Sequence, residues 1–193
     1  MFEDYIALLD KIDRFVERVQ AKYPQHIECK PACWYCCVSD ISVWRVEFDR
    51  IKQFVKDNPT PAKLKEDAEH AKCPFLGNNE LCSIYQARPM VCRLWGIPLI
   101  FDSETVELSE ILAGSFYKKG HIDSEGSKKI FICCPRNFAT DQSIEELSIT
   151  DTINADLVLT TLAAINHVYC EKTGQSPEER LSITKLLDSR DLT

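Results

Sequence analysis

Ten cysteines in 193 residues constrain this chain more than any other feature. A chain of this length can bury a core large enough to be stable without cross-links. The N-terminus is acidic and then helically periodic, unlike a signal peptide, so we expect a cytoplasmic protein with reduced thiols. In a reducing compartment, cysteines serve more readily as metal ligands or reactive thiols than as disulfides.

Charge and hydropathy argue against two kinds of partner. The net charge is −7, from 23 Lys and Arg against 30 Asp and Glu, and this disfavours binding to nucleic acid. No apolar run approaches the roughly 18 residues that a membrane span needs. We therefore expect neither nucleic acid nor a membrane as partner. The expected partner is a protein, either a redox partner or a modification substrate. The sequence does not specify the oligomeric state.

Hydrophobic periodicity predicts one mainly α-helical domain over residues 1–193, with a small, irregular β portion. The N-terminal helix, residues 1–23, has apolar residues spaced three and four apart. The metal-binding core, residues 29–134, is rich in cysteine and loops. C-terminal helices occupy residues 151–189, the last of them opened by a capping box at Ser176. The fold class is therefore a single cysteine-rich domain flanked by helices.

Smaller elements are predicted between these parts. A second helix covers residues 45–57, a short polar helix ends near residue 71, and a strand covers residues 129–133. Residues 97–101 and 105–108 have the pattern of a hairpin, and residues 114–129 that of a loop. Glu47 and Asp49 are interpreted as a solvated helix face. Cys170 is interpreted as a packing residue.

The first group of cysteines has the spacing of a metal knuckle. Cys33 and Cys36 are separated by two residues, a spacing that turns both sulfurs toward one ion, and Cys29 is close enough to join them. Cys37 directly follows Cys36. In an extended backbone, neighbouring side chains point to opposite faces, so both bind one ion only if the chain turns between them. The same argument applies to the pair Cys133 and Cys134.

The second group of cysteines is spread too widely for a local knuckle. Its members lie nine and ten residues apart, at Cys73, Cys82 and Cys92. They must therefore converge through tertiary structure. Arg88 and Arg93 flank them, and a guanidinium lowers thiol pKa values and offsets the charge of a thiolate centre. Tyr85 is placed to donate a hydrogen bond to a sulfur.

The order of these motifs resembles a known family. The motifs are Cys29-x3-Cys33-x2-Cys36-Cys37, Cys73-Pro74-Phe75-Leu76, Cys82-Ser83-Ile84-Tyr85, Arg88-Pro89 and Cys92-Arg93. Together they resemble the CxxCxxCC cysteine-cluster family of zinc- or iron-chelating domains, over roughly residues 29–134. The resemblance implies metal binding by the matched cysteines, and no particular reaction. Members often have Gly beside the first knuckle, where this chain has Ala32 and Trp34.

A second resemblance overlaps the first. Cys29-x3-Cys33-x-Tyr35-Cys36 is similar to the radical SAM signature, in which three cysteines hold a [4Fe–4S] cluster. That fold requires repeated strand–helix units. The sequence shows no such alternation, which favours the cysteine-cluster family.

The identity of the metal stays open between two alternatives. Four cysteines suit either a closed zinc site or an iron–sulfur cluster, such as [4Fe–4S]. The dense set of soft ligands favours iron, as does a related cluster in the enzyme that methylates flagellin lysines. The leading hypothesis is an iron–sulfur protein with a redox or SAM-linked role. The alternatives are a structural zinc module that binds a partner and a metal carrier. Four ligands would come from Cys29, Cys33, Cys36, Cys37, Cys73, Cys82, Cys92, Cys133 and Cys134.

Overall fold

The computed structural model describes residues 1–37, 41–58, 73–77, 79–102, 117–122 and 128–187. Its α-helices are α1 (Glu3–Lys22), α2 (Arg45–Asp57), α3 (Met90–Leu94), α4 (Asp141–Glu145) and α5 (Ala155–Thr173). Its strands are β1 (Ser42–Trp44), β2 (Leu99–Asp102), β3 (Tyr117–Ile122), β4 (Lys128–Cys133), β5 (Ile153–Asn154) and β6 (Arg180–Ser182). Short 3₁₀ helices cover Tyr85–Ala87, Ile149–Asp151 and Ile183–Leu187. The predicted fold class, mainly α with a small, irregular β portion, is confirmed.

The chain divides into two compact units. The first unit comprises Met1–Leu9, Lys30–Arg93 and Ala163–Thr193, and the second comprises Asp10–Cys29 and Leu94–Leu162. The organisation as one domain stays a prediction. In the part of the chain that the structure describes, no helix combines the length and the apolar composition needed to cross a membrane.

In the first unit, α2 packs beside a two-stranded sheet. Strand β1 pairs antiparallel with β6, and Val43 lies opposite Leu181. Both side chains are buried while their neighbours along each strand are more exposed, which is the alternation of a half-buried strand. They belong to a core formed by Val43, Phe48, Ile51, Phe75, Ile84, Leu181, Ile183 and Leu186. Cys73 and Cys82 pack against this core, so the core supports the two segments that carry these cysteines.

In the second unit, a four-stranded sheet has the order β3-β4-β2-β5. The β2–β4 and β3–β4 pairs are antiparallel and the β2–β5 pair is parallel. Cys133, the last residue of β4, packs in a small core with Val19, Tyr23 and Phe138. The sheet thus delivers Cys133, followed by Cys134, into the interior of this unit.

The helices α1 and α2 confirm the predictions from periodicity, but two other predictions need correction. Strand β3 lies within the predicted loop 114–129. Strand β2 pairs with β4 and β5, and the predicted hairpin partner 105–108 lies outside the described residues, as does the polar helix near residue 71. The predicted last helix, within residues 151–189, is replaced by β6 and a 3₁₀ helix. Pairing with β1 buries Leu181, and this tertiary contact outweighs the local helix signal.

Candidate metal centre

Two consecutive tight turns shape the first cysteine segment. The Cys33 N–H donates to the Lys30 carbonyl over 2.9 Å, and the Cys37 N–H donates to the Trp34 carbonyl over 2.8 Å. Adjacent cysteines can bind one ion only if the chain turns between them. The second turn brings the thiols of Cys36 and Cys37 within hydrogen-bonding reach of each other. The segment is therefore bent, and neighbouring sulfurs do not point to opposite faces.

Backbone hydrogen bonds bring the distant cysteines to this turn. The Cys73 N–H donates to the Cys37 carbonyl over 2.8 Å, which joins the two predicted cysteine groups. Cys82 forms an isolated antiparallel bridge with Leu76, so it lies beside the segment that follows Cys73. Cys92 lies in α3, whose first turn closes against Pro89. All of these residues belong to the first unit.

Four thiols form an interacting set that we call the first thiol group: Cys36, Cys73, Cys82 and Cys92. Burial raises the pKa of Cys92 well above its usual range, and the thiols of Cys73, Cys36 and Cys82 raise it further. The pKa of Cys82 is raised by burial and by Cys36. The pKa of Cys36 is raised first by its hydrogen bond to Cys37 and then by burial. In the absence of a metal, the raised pKa values favour the protonated thiols of Cys36, Cys82 and Cys92.

Arg88 is the positive charge that acts on this group. Its guanidinium opposes the rise in the pKa values of Cys36, Cys82 and Cys92. The guanidinium carbon lies 3.6 Å from the centre of the Tyr85 ring, and Nε donates to the Tyr85 carbonyl over 3.1 Å. Stacking and hydrogen bonding hold the charge in place. The predicted tuning role of Arg88 toward a metal stays a prediction.

Arg93 and Tyr85 make contacts that the sequence did not predict. Arg93 is buried, and its guanidinium donates to the carbonyls of Arg88 and Gln86 over 2.9 and 2.7 Å. These two hydrogen bonds stabilise the turn on which Arg88 lies. Tyr85 is 57% exposed and provides the ring on which Arg88 stacks. Roles of Arg93 and Tyr85 toward a metal stay predictions.

Glu47 is a buried carboxylate that the sequence analysis misplaced on a solvated face. It is 3% exposed, and its oxygens accept the N–H groups of Trp44 and Met90, each over 2.9 Å. The Tyr5 hydroxyl donates to it over 3.4 Å. Met90 opens α3, so Glu47 fixes the start of the helix that carries Cys92. The one sequence signal for this role is the place of Glu47 as the third residue of α2, because a Glu there often accepts the N–H of the residue that caps the helix.

Asp49, the other residue of that predicted face, is also engaged. It accepts hydrogen bonds from the Arg45 guanidinium and the Tyr169 hydroxyl, both over 2.9 Å. This pairing is the reason that the interpretation of Asp49 as a solvated residue is wrong. The i to i+4 spacing of Arg45 and Asp49 could have indicated the ion pair.

Replacing Glu47 with alanine should lower the free energy of unfolding by about 3 kcal/mol, because two buried backbone N–H groups lose their acceptor. Urea denaturation followed by circular dichroism measures this loss. Glu17→Ala, on the exposed face of α1, is the matched control and should change it by less than about 0.5 kcal/mol. A loss below about 1 kcal/mol in Glu47→Ala would contradict the anchoring role.

Ala32 occupies a backbone conformation that favours glycine. Its φ is +69°, in the left-handed region, just before Cys33. Ala32 lies beside the knuckle of Cys33 and Cys36, where members of the cysteine-cluster family that the sequence resembles often have Gly. The Cβ of Ala32 therefore strains the first turn of the cysteine segment.

Replacing Ala32 with glycine should relieve that strain and raise the free energy of unfolding by about 1 kcal/mol. Thermal unfolding of the two proteins at matched metal content measures the difference. Ala164→Gly, an exposed site in the interior of α5, should have the opposite sign. A lower stability in Ala32→Gly would show that the turn does not strain alanine.

Three further cysteines, all in the second unit, form what we call the second thiol group: Cys29, Cys133 and Cys134. Burial raises the pKa of Cys133, and the thiols of Cys134 and Cys29 raise it further. Cys133 and Cys134 are 2% and 4% exposed. Four of the nine predicted ligands thus belong to the first thiol group and three to the second.

Asn137 and Gly96 hold the second thiol group, and the sequence analysis missed both. The fully buried Asn137 donates from Nδ2 to the Cys29 sulfur over 3.2 Å and to the Gly96 carbonyl. Its Oδ1 accepts the N–H of Glu28 over 2.8 Å. Gly96 follows α3 and has a φ of +99°. A glycine just after a helix often adopts a positive φ, and this was the sequence signal that could have identified Gly96. Asn137 offered none.

The donor chemistry of both groups fits zinc or an iron–sulfur cluster, since both prefer thiolate ligands. All ten cysteines lie among the described residues, and none is in a disulfide. Over those same residues, no three Cys, His, Asp or Glu side chains stand ready in the arrangement that would hold a metal ion. Metal binding would therefore have to remove the thiol protons and draw the sulfurs together.

Cys170 and Cys33 belong to neither thiol group. Cys170 is completely buried on α5, with its sulfur near the Asn166 side chain, in agreement with its predicted packing role. His26 pairs with Glu146 over 2.8 Å. The backbone around Cys33 is described above, and its part in a metal site stays a prediction.

Comparison with known proteins assigns the cysteine-rich part of the chain. Residues 28–107 match the model of the CxxCxxCC family, described as "Putative zinc- or iron-chelating domain". The resemblance expected from the sequence is thereby confirmed, and with it metal binding through cysteines as the general property. The match includes all four members of the first thiol group and, from the second, Cys29. No curated protein and no solved structure matches the chain.

Proposed function

Taking the match of residues 28–107 to the CxxCxxCC family as a premise, we propose that the first thiol group holds an iron–sulfur cluster that transfers electrons. The observation that carries the proposal is the backbone pairing that brings Cys73 to the turn at Cys37 and Cys82 beside the segment that follows Cys73. The influence of Cys36, Cys73 and Cys82 on the pKa of Cys92 supports it. Four cysteines are the usual complement of a [4Fe–4S] cluster. Such a cluster would supply one-electron redox chemistry.

The charge of Arg88 supports this assignment. Four thiolates around a cluster carry negative charge into a partly buried site, and a fixed guanidinium offsets part of it. Positive charge near a cluster also stabilises its reduced form, so Arg88 would help to set the reduction potential. Arg93 would act through Arg88, because it holds the turn on which Arg88 lies.

Exposed apolar side chains beside the thiols support a protein partner. Tyr35, Leu81 and Val91 each directly precede a member of the first thiol group, and they are 40%, 44% and 37% exposed. Electron transfer needs a cluster close to the surface and a face on which a partner can dock. A modification substrate could use the same face, which keeps the SAM-linked role as a form of this proposal.

A structural zinc module is the second candidate function. Two observations favour it. Two residues separate Cys33 from Cys36, which is the spacing of a zinc knuckle, and the family description names zinc. Spectroscopy of protein purified without oxygen separates the two. A cluster gives a broad visible absorption band that bleaches on reduction with dithionite, whereas a zinc protein is colourless. A colourless protein with stoichiometric zinc in the first thiol group would reject the electron-transfer proposal.

A further inference from the structure

We infer that an acidic protein partner docks on a face that we call the Arg88 face, formed by Tyr35, Leu81, Tyr85, Arg88 and Val91. The inference rests on the proposed function and deepens it by stating the chemistry of the partner. That partner presents an Asp or Glu carboxylate to Arg88, next to apolar side chains of its own. All five residues of the face belong to the first unit.

Backbone hydrogen bonds join the segments that carry this face. The Cys73 N–H donates over 2.8 Å to the carbonyl of Cys37, which lies two residues after Tyr35. Four residues later, the Gly77 N–H donates to the Leu81 carbonyl over 2.9 Å. One short segment therefore connects the turn that carries Tyr35 with the turn that carries Leu81.

The Arg88 guanidinium is fixed in place without a carboxylate beside it. It stacks on the Tyr85 ring at 3.6 Å, and its Nε donates to the Tyr85 carbonyl. In the part of the chain that the structure describes, no carboxylate forms an ion pair with Arg88, in contrast to Arg45, which pairs with Asp49. The terminal nitrogens of Arg88 are therefore available to a carboxylate of another molecule, which a guanidinium binds through two parallel hydrogen bonds.

The charge of the thiol-bearing segments is positive although the chain as a whole is acidic. Residues 30–37 and 73–93 contain three basic residues, Arg88 among them, and one acidic residue, Glu80. The net charge of the whole chain is −7. A positive region on an acidic protein attracts the acidic region of a partner and orients the two proteins as they meet.

The apolar side chains of the face make this charge part of a docking surface. Tyr35, Leu81 and Val91 are exposed. Each of them directly precedes a thiol whose pKa the Arg88 guanidinium influences, so Arg88 lies close to all three segments. Arg and aromatic side chains that are surrounded by apolar contacts contribute most of the binding energy in many protein interfaces, because those contacts exclude water from the charged pair.

Photo-crosslinking in the native host cells identifies the partner. Benzoylphenylalanine, an aromatic photo-crosslinker, replaces Tyr35 in the full chain, and mass spectrometry identifies the crosslinked peptide. We expect one captured protein, crosslinked through a segment rich in Asp and Glu. The same crosslinker at Ile6, an exposed apolar residue of α1, is the control and should not capture this protein. No capture at Tyr35, or capture through a segment without Asp and Glu, would overturn the inference.

Two variants of Leu81 test the sign of the charge. Leu81→Glu and Leu81→Lys both remove the apolar side chain, and they introduce opposite charges. Calorimetric titration with the captured partner should give binding to Leu81→Glu that is weaker by about tenfold than binding to Leu81→Lys, with a smaller difference at high salt. Arg88→Gln should weaken binding by at least about tenfold. Equal affinities of the two Leu81 variants, or full affinity of folded Arg88→Gln, would contradict the inference.

Metal content and visible spectra of the parent protein and the Leu81 variants separate this inference from the proposed function. If the parent holds zinc without a cluster and binding still depends on the charge at residue 81, the electron-transfer proposal fails and the Arg88 face stands. If the cluster is present and both Leu81 variants bind equally well, the electron-transfer proposal stands and the Arg88 face is rejected.

Discussion

Replacing Cys92 with serine should lower the iron content by at least on the order of tenfold, because a serine hydroxyl is a poor ligand for a centre that selects soft thiolates. Cys92 is the member of the first thiol group whose thiol interacts with all three others. Loss of this sulfur removes one ligand and the common neighbour of the remaining three. Iron and acid-labile sulfide per chain, measured without oxygen, give the result.

Two controls make this prediction specific. Cys170→Ser removes a buried thiol that belongs to neither thiol group and should keep the full iron content. Cys92→Ala should match Cys92→Ser, since neither side chain supplies a sulfur. Full iron content in folded Cys92→Ser would show that Cys92 is not a ligand.

Replacing Asp151 with alanine should lower the free energy of unfolding by about 2–3 kcal/mol, because the buried Tyr23 hydroxyl loses an acceptor and two half-exposed cations of α1 lose their partner. The Asp151 side chain is 1% exposed and forms ion pairs with Arg18 and Lys22. The Tyr23 hydroxyl donates to it over 2.9 Å. All four residues lie in the second unit. Denaturant titration measures the loss, and the exposed Asp10→Ala is the control.

The effect of Asp151 should also depend on pH. Hydrogen bonding by Lys22 lowers the pKa of Asp151 below its ordinary value of 3.8. A carboxyl with a lowered pKa stabilises the fold above its unfolded-state pKa and loses that contribution as the pH falls through the folded-state value. The difference in stability between the parent and Asp151→Ala should therefore be full near neutral pH and shrink in acid. A difference that does not depend on pH would contradict the ion-pair explanation.

The amphipathic helices could be predicted because their own residues specify them. The apolar spacing along α1 and α2 matches the helical period, so burial and local structure agree. Strand β6 could not be predicted from its own residues. Its three residues are too short for a periodic signal, and its partner β1 lies about 140 residues earlier. Pairing over such a separation depends on tertiary structure.

The candidate ligands were visible in the sequence, but their division into two groups was not. Cysteine spacing identifies thiols that can reach one ion locally, as for Cys33 and Cys36. It does not indicate the surroundings of Cys29, whose sulfur rests against Gly96 and accepts a hydrogen bond from Asn137. Glu47 was missed for a similar reason, since a carboxylate on a helix is usually solvated and its acceptor role toward Met90 depends on distant chain segments.

Iron and acid-labile sulfide analysis of the parent protein, with electron paramagnetic resonance after dithionite reduction, tests the central claim most directly. The protein should be purified without oxygen and without reconstitution. An iron–sulfur cluster in the first thiol group should give about four irons and four sulfides per chain, and a signal from the reduced cluster. Zinc in the first thiol group, with neither sulfide nor a paramagnetic signal, would contradict it.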